Sequence, residues 1–284
     1  MIERDIRIAI LPLDVLDDIS ADIAKFATEN ELSDYQKWIL NERYVLEVPQ
    51  VDFTPKSIVV AVWKQHIYEA VFYHKGKAAS CFIEGGQNNR AIGGNAEVKR
   101  IFADMGFKLE YIHWMPQKRL AVRGGLCEYG RNNITYCSDW GSFVRIGSYI
   151  SDIRPTDYVW RDVKNMAACE ACGKCITSCP TKAIQPDRFL IDCDIWKPPY
   201  AHSSLYGCYH CQKVCPANKE RLDDAEQIIF DEAETEIMIN SNSFANFPEN
   251  IRKKLWHFDI GAEFEYIPGN LKLMLEKEQT DEKN

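Results

Sequence analysis

The sequence has no long apolar run and no excess of positive charge. Its longest apolar stretches, such as Ile58 to Trp63, fall far short of the roughly 20 residues a membrane-spanning helix needs. Its 34 Lys and Arg against 42 Asp and Glu leave a formal net charge of −8, with a pI near 5.4. That balance argues against a nucleic-acid backbone or an anionic membrane as the main partner. The start, Met1-Ile-Glu-Arg-Asp-Ile, holds neither an apolar signal stretch nor a twin-arginine pair, so the expectation is a cytoplasmic protein with no membrane attachment. Nothing indicates an oxidising compartment, and the eleven cysteines are therefore not read as a disulfide framework. What is present is enough apolar material, 46% of 284 residues, to bury a real core in one large domain or two moderate ones.

Eight of the cysteines stand in two blocks. The first is Cys169-x2-Cys172-x2-Cys175-x3-Cys179-Pro180, and the second is Cys193 followed by Cys208-x2-Cys211-x3-Cys215-Pro216. This is the ligand arithmetic of two [4Fe–4S] clusters. A tight C-x2-C-x2-C turn supplies three converging thiolates, and the fourth cysteine of such a run, ahead of proline, ligates the other cluster. The spacing therefore assigns Cys169, Cys172, Cys175 and Cys215 to one cluster, and Cys179, Cys193, Cys208 and Cys211 to the other. Zinc sites are built from paired knuckles and do not require this run. Cys81, Cys127 and Cys137 remain, with buried free thiols as their default reading.

Along the chain, Asp5 to Leu13 alternates as a strand, and Asp18 to Glu29 carries apolar residues at helical spacing. Ser33-Asp34 predicts a cap for a second helix through Tyr44. Ser57 to Trp63 reads as a buried central strand, Asn95 to Met105 as a helix ending at Gly106, and Phe107 to His113 as another strand. Alternating strand and helix predict an α/β layer architecture over residues 1–160. Residues 161–220 hold the cluster segment. An acidic helical tail, 221–284, is expected to pack on the core, with short helices over Pro248–Trp256 and Asn270–Lys277. Residues 220–236 hold eight acids against one arginine and read as a solvated face.

Upstream of the clusters, Arg123-Gly-Gly-Leu-Cys-Glu-Tyr-Gly-Arg131-Asn132 precedes Asp139-Trp-Gly-Ser-Phe-Val-Arg-Ile-Gly147. Downstream comes Leu205-Tyr-Gly-Cys-Tyr-His-Cys-Gln-Lys-Val-Cys-Pro-Ala-Asn218. Over about residues 50–218 this order and spacing resemble the epoxyqueuosine reductases and their relatives, the cobalamin-dependent reductive dehalogenases. The downstream motif is closer to the former. Glu128-x-Gly-Arg131 and Cys169-Glu-x-Cys172-x-Lys-Cys175 look more like the latter.

The resemblance implies an N-terminal α/β cobalamin-binding-type domain with a C-terminal ferredoxin-like two-[4Fe–4S] domain. It implies electrons passing from an external low-potential donor of flavodoxin or ferredoxin type, through both clusters, to a cobalamin that reduces a small organic substrate. It places the cofactor against Gly124, Gly125, Glu128, Gly130, Arg131 and Asn132, and against Gly141, Ser142 and Phe143. Glycines there would let backbone approach a bulky ring closely; an ordinary turn is the competing reading.

The sequence also departs from the family. The position of a proton-donating aspartate in an Asp-x-x-Pro context is here His113, before Trp114-Met115-Pro116. Imidazole can serve as proton donor near neutral pH. Tyr129 is the next candidate, with Tyr111 and Tyr136 as further phenols. The segment Leu-Thr-Ile-Glu after the fifth cysteine is replaced by Asp-Ile-Trp-Lys-Pro-Pro-Tyr200. The repeat tail that helps epoxyqueuosine reductases hold tRNA has no counterpart in the residues after Asn218, so nucleic acid is not the expected substrate. Two other functions stay open. One is a cobalamin-free electron-transfer protein or reductive activator of a partner's metal centre. The other is a structural Fe–S module that docks through the acidic run.

Overall fold

In a computed structural model the described residues are 5–86, 90–184, 193, 204–241, 243–258, 260 and 265–281. The fold is mixed α/β, as the sequence predicts, and it divides into two compact units. The first gathers residues 5–64 and 93–173, and the second gathers 65–92, 174–183 and the chain from 193 onward. These boundaries cut the chain differently from 160/161 and 220/221, because residues 65–92 join the C-terminal part.

The first unit is built on a sheet ordered β1-β2-β8-β5, with β1 Ile6–Leu11, β2 Ser57–Lys64, β8 Val144–Ser151 and β5 Leu109–Tyr111. All three pairings are antiparallel. Strand β2 is central and buried over residues 57–63, which explains its uninterrupted apolar sequence. Its alternate side chains serve two cores. Ile58, Val60 and Val62 pack with Leu16, Ile19 and Ile23 of helix α1 (Val15–Glu29) and with Leu120 of helix α4 (Gln117–Arg123). Val59, Ala61 and Trp63 face Val98 and Phe102 of helix α3 (Arg90–Asp104) on the other side. A one-residue slip of β2 would exchange the two sets, so the register is fixed by both layers. Ser33 caps α2 (Asp34–Trp38), as read from the sequence; its hydroxyl accepts from Gln36 N while its own amide donates to Gln36 Oε1, and the helix continues as one π-turn over Ile39–Arg43.

In the second unit the sheet order is β4-β3-β9, with β3 Ile67–His74, β4 Lys77–Glu84 and β9 Glu226–Phe230. The acidic run thus contributes a strand, parallel to β3, that buries Ile228 and Phe230. Phe72 and Phe230 stack with centroids 4.9 Å apart. Helices α8 (Glu232–Asn240), α9 (Glu249–Leu255) and α10 (Ile267–Asp281) close this core through Met238, Ile251, Leu255 and Leu271. Among the described residues no helix is long and apolar enough to cross a membrane.

Candidate active site

The first unit holds a cavity of about 320 Å³, at the lower end of the range for small-molecule sites. Its wall comes from four stretches of chain: Tyr44, residues 111 and 113–119, Tyr129 and Asn133. Strand β5 ends at Tyr111, and the next turn is pinned by Ile112 N donating to Ser148 O and Val45 N donating to Trp114 O, at 2.9 and 3.0 Å. Trp114 takes a left-handed φ of 70°, which is costly for a bulky residue. Pro116 then opens α4, which brings Gln117, Lys118 and Arg119 to the wall. The hairpin β6 (Glu128–Tyr129) and β7 (Thr135–Tyr136) supplies the far side. Its three-residue turn closes with Gly130 N donating to Ile134 O and Asn133 N donating to Gly130 O. Asn133 takes the left-handed φ of 58° that this turn requires.

His113 and Tyr129, the two candidate proton donors, meet at this cavity. The His113 imidazole is exposed, edge-on to Tyr111 and Trp114 at centroid distances of 6.1 and 5.0 Å. Tyr129 is buried, and burial raises its phenol well above the ordinary tyrosine range. Tyr44 is likewise pushed up to about 12, first by burial and then by the neighbouring Tyr35 phenol, while the Arg119 guanidinium acts in the opposite sense. Both phenols therefore stay protonated and can donate hydrogen bonds at neutral pH. Arg119 is anchored, its Nε and Nη2 lying 3.1 and 2.9 Å from Asp22 Oδ2. Lys118 donates to the Asn133 carbonyl at 3.1 Å. It is exposed at the cavity wall, and partial desolvation there lowers its pKa. The rims are aromatic: Arg43 stacks over Trp38 and Trp114 at 4.5 and 5.0 Å.

The other candidate cofactor contacts do not line this cavity, and each has a local job. Gly124 and Gly125 terminate α4. Gly125 sits at φ 79°, and the amides of Gly124, Gly125 and Leu126 return to the helix's last carbonyls. Glu128 pairs with Lys164 at 2.5 Å. A Cβ on Gly130 would overlap the Tyr136 ring and lie 2.6 Å from Asn132 Oδ1. Arg131 donates to the Glu170 carbonyl at 3.3 Å, and buried Asn132 donates to the Tyr136 hydroxyl at 3.0 Å. Gly141 has φ 62° and ψ −144°, a conformation reserved for glycine, and is followed by buried Ser142 and Phe143. These placements favour the turn reading for the glycine-bearing segment. The cavity is of a size for a small organic group. Sequence reading missed Tyr44, Lys118, Arg119 and Asn133, which carry no motif and converge only through the fold.

The eight motif cysteines are partly buried, whereas Cys81, Cys127 and Cys137 are fully buried thiols. In the second unit, helix α5 (Lys174–Ser178) carries Cys175 and packs on helix α6 (His210–Lys213), which carries Cys211. Cys175 and Cys211 are thus carried on neighbouring helices. Cys179 N donates to Ile176 O and Cys215 N to Gln212 O, at 3.3 and 3.2 Å. Among the described residues no three Cys, His, Asp or Glu side chains converge on one metal-sized centre. The donor set fits cluster chemistry.

An α/β unit with a cavity of small-molecule size and a polycysteine run of cluster-ligand spacing point to the class of iron–sulfur proteins. The comparisons with known proteins sharpen that class. Residues 162–185 match the 4Fe-4S binding domain family. The chain is 29% identical over 118 residues to the epoxyqueuosine reductase of Lactococcus garvieae, covering 35% of this chain and 31% of that protein. It is 27% identical over 193 residues to the tetrachloroethene reductive dehalogenase of Dehalobacter restrictus, covering 59% and 34%. It thus spans about a third of the length of these relatives. A crystal structure of epoxyqueuosine reductase with a tRNA-Tyr epoxyqueuosine-modified stem loop superposes with a TM-score of 0.58 at 18% identity, covering 95% of this chain and 76% of that one. The chain has the epoxyqueuosine reductase fold and resembles both reductase branches in sequence. That neighbour's tRNA is at odds with the expectation, drawn from net charge and the missing repeat tail, that nucleic acid is not the substrate. Net charge averages over a surface and does not report a local cationic site.

Proposed function

We propose that the chain is an iron–sulfur reductase that passes electrons through two [4Fe–4S] clusters to a cobalamin and reduces a small organic substrate. We place it in the cytoplasm, where thiols stay reduced and clusters persist. The observation that supports this most is that His113 and Tyr129 both line one cavity of substrate size. When bound, a corrinoid supplies two-electron chemistry that the protein alone cannot. The chain's own residues hold the substrate and manage the proton. Tyr44, Tyr111 and Trp114 wall the organic body, the protonated phenols orient its polar atoms, and exposed His113 delivers the proton that accompanies the electron pair. An external donor of flavodoxin or ferredoxin type recharges the clusters. Cys169, Cys172, Cys175 and Cys215 hold one cluster, and Cys179, Cys193, Cys208 and Cys211 the other.

Anaerobic protein titrated with cob(II)alamin is expected to show one retained corrinoid per chain, reduced further when the clusters are charged. His113→Ala should keep both cofactors and lose most turnover. No affinity for cob(II)alamin would transfer the proposal to a cobalamin-free electron carrier or activator. Replacing Cys215 should damage the cluster built on Cys169, Cys172 and Cys175; loss of the second cluster alone would refute crossed ligation. The tRNA-bound neighbour favours a second reading, action on a modified base in a tRNA loop. Retention of a tRNA stem loop by the loaded protein at physiological salt would select it.

A further inference from the structure

The cavity is cationic in an acidic protein. His113, Lys118 and Arg119 line it, and none of its lining residues is Asp or Glu, although the chain carries a net charge of −8. Arg119 already has Asp22. Lys118 does not: among the described residues its ammonium has no carboxylate partner, and its hydrogen bond goes to the neutral Asn133 carbonyl at 3.1 Å. An ammonium has three donors, so two remain for a ligand. With no carboxylate beside it on the cavity wall, its charge is left for an anion brought close enough to hydrogen-bond. Asn133 is the left-handed residue of the hairpin turn, and the hydrogen bond to its carbonyl holds the ammonium at the cavity wall. Flat rings, Tyr111 and Trp114, stand on the same wall with the phenol donors of Tyr44 and Tyr129.

We propose that Lys118 is the anchor for the carboxylate of a flat organic acid, whose body lies against Tyr111 and Trp114 with its reducible atom toward His113. This rests on the reading of the cavity as the substrate site and names the class of substrate it takes. Lys118 is then a substrate-binding residue. The lowered pKa of its ammonium in the empty cavity agrees with a charge whose partner arrives with the ligand.

The test uses cluster-loaded, cobalamin-free protein and ligand-observed fluorine NMR with 4-fluorobenzoate and its neutral isostere 4-fluorobenzamide. The acid should bind at least about tenfold more tightly than the amide, since a hydrogen bond to a charged group is lost in the amide. Lys118→Met keeps the apolar stem and should abolish the preference, while Lys118→Arg should keep it. Equal affinity for acid and amide, no binding of the acid, or a preference that survives Lys118→Met would overturn the proposal. A phosphate of the corrinoid is the competing anion. If Lys118→Met weakens cob(II)alamin but not cobinamide, which lacks the phosphodiester, and 4-fluorobenzoate does not bind, Lys118 serves the cofactor instead. Failure of cob(II)alamin to bind at all, with the acid preference intact, would instead refute only the cobalamin reading.

Discussion

Replacing Asp22 by asparagine tests whether the charged seam behind the cavity holds the first unit together. Asp22 lies on α1 and accepts from both arginines of α4: Arg119 Nε and Nη2 at 3.1 and 2.9 Å, and Arg123 Nη1 at 2.7 Å. The two arginine side chains are only 14% and 12% exposed, and the aspartate 29%. Hydrogen bonds to charged groups each contribute about 1.5–3 kcal/mol when well buried. Asparagine keeps one acceptor oxygen, and partial exposure screens the lost charge. The net loss is then about 1–2 kcal/mol, which lowers the melting temperature by about 3–6 °C for a domain of this size. Asp18 provides the control. It is 55% exposed, reaches Arg123 only at 3.5 Å and accepts from Trp160 Nε1, so Asp18→Asn should cost at most about 0.5 kcal/mol. Circular dichroism melts of anaerobic, cluster-loaded variants read both. A shift under about 1 °C for Asp22→Asn, or equal shifts for the two variants, would refute the reasoning. Freed of Asp22, Arg119 should also add to the cavity's hold on an anion.

Alkaline stability should reflect the buried phenols. Tyr44 titrates near 10 when unfolded and at about 12 when folded, so the unfolded chain releases its proton first and stability falls between roughly pH 10 and 12. Tyr44→Phe should lessen that fall, read as the midpoint of alkaline unfolding. Gly130→Ala should destabilise by about 1–3 kcal/mol by driving a methyl into the Tyr136 ring, with or without any cofactor present. Phe230→Ala should cost about 3–5 kcal/mol, since the ring is fully buried on Phe72; a surface-like value in a urea melt would remove β9 from the core.

The parts of the fold that could be read early are those where one rule dominates. Ser33 and Gln36 spell a capping box, β2 announces burial by an unbroken apolar run, and Gly106 ends α3 with φ 80°. Strands β3 and β4 passed unread because their two-residue turn is Lys75-Gly76, and Lys75 at φ 52° lacks the usual Asn or Asp of such a turn. Strand β9 was hidden by charge: the acids of 220–236 other than buried Glu234, which pairs with Lys254, stay solvated, while Ile228 and Phe230 alternate inward. At the sites, the cysteine ligands are legible because metal chemistry dictates their spacing. His113 and Tyr129 were reached through resemblance. The glycines around them stay ambiguous in sequence, because a helix terminator and a cofactor cradle look the same there, and the fold shows Gly124 and Gly125 terminating α4. Lys118 and Arg119 could not be found from a motif, since their meaning lies in one having a carboxylate and the other not.

Iron and acid-labile sulfide analysis of anaerobically purified protein most directly tests the claim that this is a two-cluster redox protein. About eight of each per chain are expected, with four in a Cys215→Ser variant that keeps only the cluster on Cys179, Cys193, Cys208 and Cys211. A stoichiometric zinc content with little iron would contradict it.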